Sequence, residues 1–229
     1  MKKALFLMGA GATLLASAFT MAHTPARAVA VAERMAPAAA EKLYQVVPSE
    51  SSMTWVGRKV GGEHTGNLKL ASGTVKVDRT FLRGGNFVID MNSMTVTDLK
   101  DEGPNKRLLG HLRSDDFFSV EKHPTSTFTI TNLAAIPKSK AGSANYNVTG
   151  SLTIKGITNQ ITFPVELNIK SDVLTAKGTL KFDRTKWDIK YRSSNFVENL
   201  GDKAIYDDIE LSFNLVARAD NAAKKAAKL

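Results

Sequence analysis

The chain has 229 residues, no cysteine and a formal net charge of +9. The missing cysteine excludes disulfide scaffolds, thiolate metal sites, a cysteine nucleophile and a lipid anchor carried on cysteine. The positive balance suits anionic lipid surfaces or phosphate-bearing ligands, and it suits plain solubility equally well.

At the N-terminus, Met1-Lys2-Lys3 precede an apolar run from Ala4 to Met21, and Ala26-Arg27-Ala28 follows. A positive start, an apolar middle and an Ala-x-Ala site predict a secretory signal peptide over residues 1–28, with cleavage after Ala28, or alternatively after Ala22 or Ala30. A single membrane anchor is the competing reading, weakened by Gly9, Gly11 and Thr13. Loss of Lys2, Lys3 and Arg27 leaves 9 − 3 = +6 on a protein expected in the periplasm or outside the cell. Residues 29–42, Ala-rich with Pro37, read as a linker. Residues 43–219 read as one domain, and 220–229 as an Ala/Lys-rich tail that frays.

The body alternates apolar and polar residues with a period of two, the pattern of half-buried strands. Strands are expected at 51–60, 65–78 and 84–93, and again from about Thr125, where Phe128 and Ile130 alternate with threonines. Tyr146, Val148, Leu152 and Ile154 form the next ladder, then Ile161 to Ile169, Leu174 to Phe182, and Ile209 to Leu215. Lys155-Gly156-Ile157-Thr158-Asn159 and Arg83-Gly84-Gly85-Asn86 read as hairpin turns. With one face of every strand apolar, the strands wrap a single interior, as a closed meander or a sandwich. The long interruption, 95–124, carries a helix signal: Asp101 and Glu102 before Pro104, with Leu108, Leu109 and Leu112 on one face. Such a helix is a natural lid for a barrel end.

Just beyond it, Ser114, Asp115 and Asp116 read as a helix cap, followed by the aromatic pair Phe117 and Phe118. Two neighbouring aromatics before a strand are costly in water, so they are expected to plug a barrel mouth. Gly150 and Gly178 fall on inward positions by parity, which leaves room for a cavity or marks bulges.

Chemistry is sparse. His64, His111, His123 and the Asp115/Asp116 pair do not have the spacing of a metal motif. No serine sits in a Gly-x-Ser-x-Gly elbow, and adjacent aspartates cannot flank a substrate as an acid/base pair. Arg184, Lys186, Trp187, Lys190, Tyr191 and Arg192 mix charge with aromatics as nucleic-acid binders do, but export argues against that partner. An arginine at a barrel rim suits a diphosphate or carboxylate head group instead, with Lys190 and Arg192 as candidates. An outer-membrane barrel needs aromatic girdles, and aromatics are only 7% here.

Three blocks together resemble the YceI-like family of periplasmic and secreted lipid-binding proteins. They are Ser52-Met53-Thr54-Trp55 with Gly62-Glu63-His64-Thr65-Gly66; His111 to Phe118 with His123-Pro124 and Thr127-Phe128; and Val148-Thr149-Gly150-Ser151-Leu152 through Thr158. The resemblance spans about Tyr44 to Ala217. It implies an all-β, lipocalin-like antiparallel barrel of about eight strands with a short helical lid, and an apolar tunnel for polyisoprenoid chains such as isoprenoid quinones or prenyl phosphates. The segment Phe182 to Ile189 departs from the shorter, arginine-centred pattern of many members, which leaves the head group open.

The expectation is therefore an exported barrel that binds, stores or carries a long-chain amphiphile. Trp55, Phe87, Phe117, Phe118, Phe128, Phe163 and Phe182 are the candidates to line or close the tunnel. His64, Lys190 and Arg192 are the candidates for its polar end. No cofactor, catalytic step or nucleic acid is required. A homodimer and transient contact with a membrane surface stay open, as do two alternatives: an enzyme acting on a lipid-like substrate in the same cavity, and a solid, stress-related structural barrel.

Overall fold

The computed structural model describes residues 41–79 and 81–220. The expected signal peptide, most of the linker and most of the tail lie outside the described residues. In chain order the strands are β1 (Lys42–Val46), β2 (Ser52–Lys59), β3 (Gly62–Asp78) and β4 (Phe81–Asp90), then β5 (Thr125–Ala135), β6 (Tyr146–Ile154), β7 (Ile157–Lys170), β8 (Val173–Asp183) and β9 (Ile205–Ala219). One helix, α1 (Glu102–Arg113), interrupts the series between β4 and β5.

All pairings are antiparallel, and the sheet closes on itself: β2 lies between β3 and β9, and β3 also pairs with β4. The result is an eight-strand barrel with one extra strand. β1 shares a single stave with β2. It joins Lys42–Gln45 to the far end of β3 and Tyr44–Val46 to the far end of β9, where β2 does not reach. A 3-10 turn, Pro48–Glu50, breaks that stave in two, as expected where proline removes a ladder donor. β1 is too short for its alternation to have stood out in the sequence.

The apolar ladders face the interior. Leu174, Val77 and Ala217 are fully buried, while the outer face carries cross-strand hydroxyl pairs such as Thr149–Thr162 (2.8 Å), Thr153–Thr158 (2.7 Å) and Thr179–Ser212 (2.9 Å). Pairs of this kind stabilise a solvated sheet face. That polarity, apolar inside and polar outside, is the reverse of a membrane-spanning barrel. Among the described residues no helix is long and apolar enough to cross a membrane.

The turns are partly where the sequence placed them. Lys155 (φ 51°) and Gly156 (φ 75°) form the β6–β7 hairpin, with both residues left-handed as a two-residue turn of this kind needs; Ile157–Asn159 already belong to β7. Gly84 and Gly85 make no turn. They lie inside β4, opposite Lys76 and Val75, and a Cβ on Gly85 would come 2.8 Å from the Thr74 carbonyl oxygen. The glycine serves close approach of two strands rather than a reversal of the chain.

Ser114, Asp115 and Asp116 also depart from expectation. They follow the helix rather than begin one. Ser114 N–H donates to the His111 carbonyl at 3.1 Å. Asp115 accepts from Ser119 Oγ and from Lys122 Nζ, and Asp116 meets His111 Nε2 at 2.9 Å. The same residue types that cap helices also stabilise the turns beyond them.

Candidate functional site

Two cavities follow one another along the barrel. Three strands supply inward side chains to both, at positions two residues apart: Met53 then Trp55 on β2, Leu70 then Leu68 on β3, Leu211 then Ile209 on β9. The period of two along a strand turns one stripe of sequence into successive layers of one lumen.

The first cavity encloses about 780 Å³ of atom-free space, the part open to solvent included. Every residue lining it is apolar. A belt of phenylalanines runs round its wall: Phe87 to Phe128 (6.3 Å between centroids), Phe128 to Phe163 (5.4 Å), and Phe163 to Phe213 (6.0 Å). The two inward glycines belong to this belt. A Cβ on Gly150 would meet the Phe128 ring at 2.3 Å, and one on Gly178 would meet the Phe213 ring at 3.0 Å. The missing side chains let the rings lie against the wall. The glycines thus make room for rings, and the rings surround the lumen.

The second cavity, about 660 Å³ on the same measure, lies beneath α1. Leu108 and Leu112 of the helix, Phe117 and Phe118 of the turn after it, and Met94 form its roof; Trp55, Leu68 and Ile209 form its wall. No residue of α1 is fully buried, so the helix rests on a hollow. It is pinned at two places. Asn105 Nδ2 donates to the Val96 and Leu99 carbonyls at 3.0 and 2.9 Å, and Arg113 Nη2 donates to Asn92 O and Met94 O at 2.7 and 3.2 Å. The strap before it lies along β3: Thr95 N–H donates to Asn67 O at 3.0 Å and Thr97 N–H to Thr65 O at 2.8 Å. Trp55 Nε1 donates to Thr95 O at 3.1 Å, which satisfies the indole in an apolar wall. Phe117 packs edge-on with His111 (4.9 Å) and tilted against Tyr191 (5.4 Å).

Polar groups gather at the edge of this second cavity: Arg58, Lys59, His64 and Arg184. His64 Nδ1 lies 2.8 Å from Asp98 Oδ2, and Thr65 N–H donates to Asp98 Oδ1 at 2.9 Å. Burial pushes the Asp98 carboxyl up, but these two bonds, its own backbone amide and the His64 charge together hold its pKa below the usual carboxylate value. Arg184 is 1% exposed. It donates to the carbonyls of Ile189 (2.7 Å), Ile205 (3.1 Å) and Tyr206 (3.2 Å), and its Nη2 pairs with Asp207 at 3.1 Å.

The expected site residues divide accordingly. Phe87, Phe128 and Phe163 line the first cavity; Trp55, His64, Phe117 and Phe118 line the second. Phe182 stands outside both linings, buried with its ring 5.2 Å from that of Trp187. Lys190 and Arg192 also stand outside them. Lys190 pairs with Asp188 at 2.8 Å and covers the Phe196 ring, and Arg192 covers Tyr191. Two arginines outside that expectation line the second cavity, Arg58 and the buried Arg184. The signal for Arg184 is its place, directly after the apolar ladder of β8. His64, His111 and His123 do not converge: the first meets Asp98, the second Asp116, and the third lies against Gly156. Among the described residues no three His, Asp or Glu side chains gather as a metal ion would need.

The family model for the YceI-like domain matches residues 44–217. A UPF0312 protein of Pectobacterium atrosepticum is 32% identical over 101 residues, 44% of this chain and 48% of its own length. A UPF0312 protein of Pseudomonas aeruginosa is 40% identical over 57 residues, 25% of this chain and 27% of its own length. The chain thus spans about half or less of the curated relatives it matches. Among solved structures, Burkholderia cenocepacia BcnA superimposes with a TM-score of 0.58 at 25% identity, over 75% of this chain and 98% of that one. A polyisoprenoid binding domain from Saccharophagus degradans shares the fold with a TM-score of 0.57 at 16% identity, over 77% of this chain and 98% of its own.

Proposed function

The chain belongs to the YceI-like family, and from that premise we propose that it is an exported carrier of a long-chain amphiphile of the polyisoprenoid class. The tail occupies the phenylalanine-belted cavity, and the head lies beneath α1. One observation carries the reading: the closed barrel keeps an all-apolar hollow with no polar group that a small hydrophilic ligand would need. The polyisoprenoid binding described for the Saccharophagus domain, a protein of the same fold, supports the ligand class.

Affinity would come from the tail. Each buried methylene contributes about 0.8 kcal/mol, so a tail of roughly fifteen carbons gains about 12 kcal/mol against an association cost of roughly 4–15 kcal/mol. A short chain would not be held. The signal sequence read over residues 1–28 supports export, since a carrier of such molecules works where membranes face an aqueous compartment.

The test is mass spectrometry of an organic extract of the protein purified from its native compartment, beside a Phe117→Ser/Phe118→Ser variant. A stoichiometric long-chain amphiphile in the wild type, depleted in the variant, is expected. A clean extract from fully folded wild-type protein would sink constitutive carriage. One observation favours a second reading, an enzyme: His64 and Asp98 lie 2.8 Å apart at the edge of the second cavity. Recovery of an added ligand chemically unchanged after prolonged incubation would dispose of it.

A further inference from the structure

Three of the four basic groups at the edge of the second cavity are already paired. Arg58 Nε lies 3.1 Å from Glu63 and its Nη1 3.4 Å from Glu210. Arg184 pairs with Asp207, and each of its three nitrogens donates to a backbone carbonyl. His64 is tied to Asp98. Among the described residues no carboxylate pairs with Lys59, which is exposed. Even with His64 protonated, the four basic side chains are matched in number by four carboxylates, Glu63, Glu210, Asp98 and Asp207. With His64 neutral, the carboxylates are in excess by one.

Resting on the carrier reading above, we propose that the chamber beneath α1 selects an uncharged polar head, an alcohol, an amide or a ring carbonyl, and discriminates against phosphate and carboxylate heads. An anionic head entering this chamber must shed water beside walls that are apolar apart from three paired groups and the solvated Lys59 at the rim. Turning Arg184 towards it would break a buried pair with Asp207, which costs more than the new pair returns, and Arg58 is already screened by two carboxylates and by solvent. Arg184 is the more constrained of the two, because its fork is filled from both sides by carbonyls that cannot follow it. An uncharged head needs only one or two hydrogen bonds. His64 lines the chamber with Nδ1 engaged, which leaves Nε2 to donate or accept. Such a head also leaves every ion pair in place.

The experiment is equilibrium binding of geranylgeraniol and geranylgeranyl phosphate at near-neutral pH, both below their micellar concentrations, to the full-length mature protein. The two ligands share one tail. The alcohol is expected to bind at least about tenfold more tightly. In Glu210→Gln, which releases half of the hold on Arg58, the gap should narrow through stronger binding of the phosphate. Lys69→Ala, at an exposed lysine of β3 outside both cavity linings, should change neither affinity by more than about twofold, since a solvated ammonium away from the chamber adds little. Equal or tighter binding of the phosphate by the wild type would overturn the proposal and leave the carrier reading standing. Binding of neither molecule would sink the carrier reading itself, and the proposal with it.

Discussion

Phe128 lies across Gly150, so that a Cβ on the glycine would come within 2.3 Å of the ring and 2.6 Å of the Thr129 carbonyl oxygen. The ring can swing, but the carbonyl belongs to the neighbouring strand and cannot. Gly150→Val is therefore expected to lower stability by about 1–3 kcal/mol and to push the Phe128 ring into the lumen, weakening binding of a long-chain ligand. Gly84→Val is the control: nothing lies within 4 Å of its Cβ position, and a β-branched residue suits a strand. Its thermal midpoint should stay close to wild type. Equal losses in the two variants would mean that the Phe128–Gly150 contact carries nothing special.

Phe117 and Phe118 are neighbours in sequence with different surroundings. Phe117 is buried between His111 and Tyr191, whereas Phe118 is half-buried and lines the same roof. Phe117→Ser should cost about 3 kcal/mol in chemical denaturation. Phe118→Ser should cost clearly less, yet both should speed release of a bound amphiphile. A Phe118→Ser variant that keeps wild-type release would remove that residue from the site.

Much of this arrangement was legible, for a definable reason. From Phe128 on β5 through β9 most positions of one parity are apolar or glycine, so the side that faces the lumen could be read off, and Phe128 and Phe163 with it. Where the pattern depends on a partner strand, it failed. Gly84-Gly85 carries a turn signal by composition, and only the proximity of Thr74 O shows why glycines occupy a straight strand. Ser114-Asp115-Asp116 is equally ambiguous, because hydroxyls and carboxylates satisfy the end of a helix and the turn after it as readily as its start. Lys190 and Arg192 carry only their charge as a signal, and charge does not say which way a loop points. Arg184 was hidden by the opposite bias: a cation at the end of a strand reads as solvated, although this one is held by three carbonyls and a carboxylate.

Asp98 gives the strap before α1 a dependence on pH. Its folded pKa is depressed by His64 and the Thr65 amide, so its contribution to stability is present above the unfolded carboxylate value, about 4. The contribution is lost as pH falls through the lower folded value. The Thr65 amide resonance is expected to titrate below about pH 4, and Asp98→Asn should abolish that titration. A midpoint at or above the ordinary carboxylate value would show that the two bonds do not hold Asp98 in solution.

The buried Arg184 joins the end of β8 to the start of β9. Burial pushes its guanidinium pKa down, and Asp207 and Asp183 oppose the shift. Asp207 Oδ1 approaches Nη2 at 3.1 Å as an ion pair rather than as a well-aligned hydrogen bond, so the three carbonyls do more of the holding than the carboxylate does. Two variants separate those contributions. Arg184→Met leaves the carbonyls of Ile189, Ile205 and Tyr206 without their donor and Asp207 without its cation, and should cost about 3–5 kcal/mol in urea denaturation. Asp207→Asn removes the charge partner but leaves the carbonyls served, and should cost markedly less. If the two losses were equal, the ion pair rather than the backbone would be what fixes this corner of the barrel.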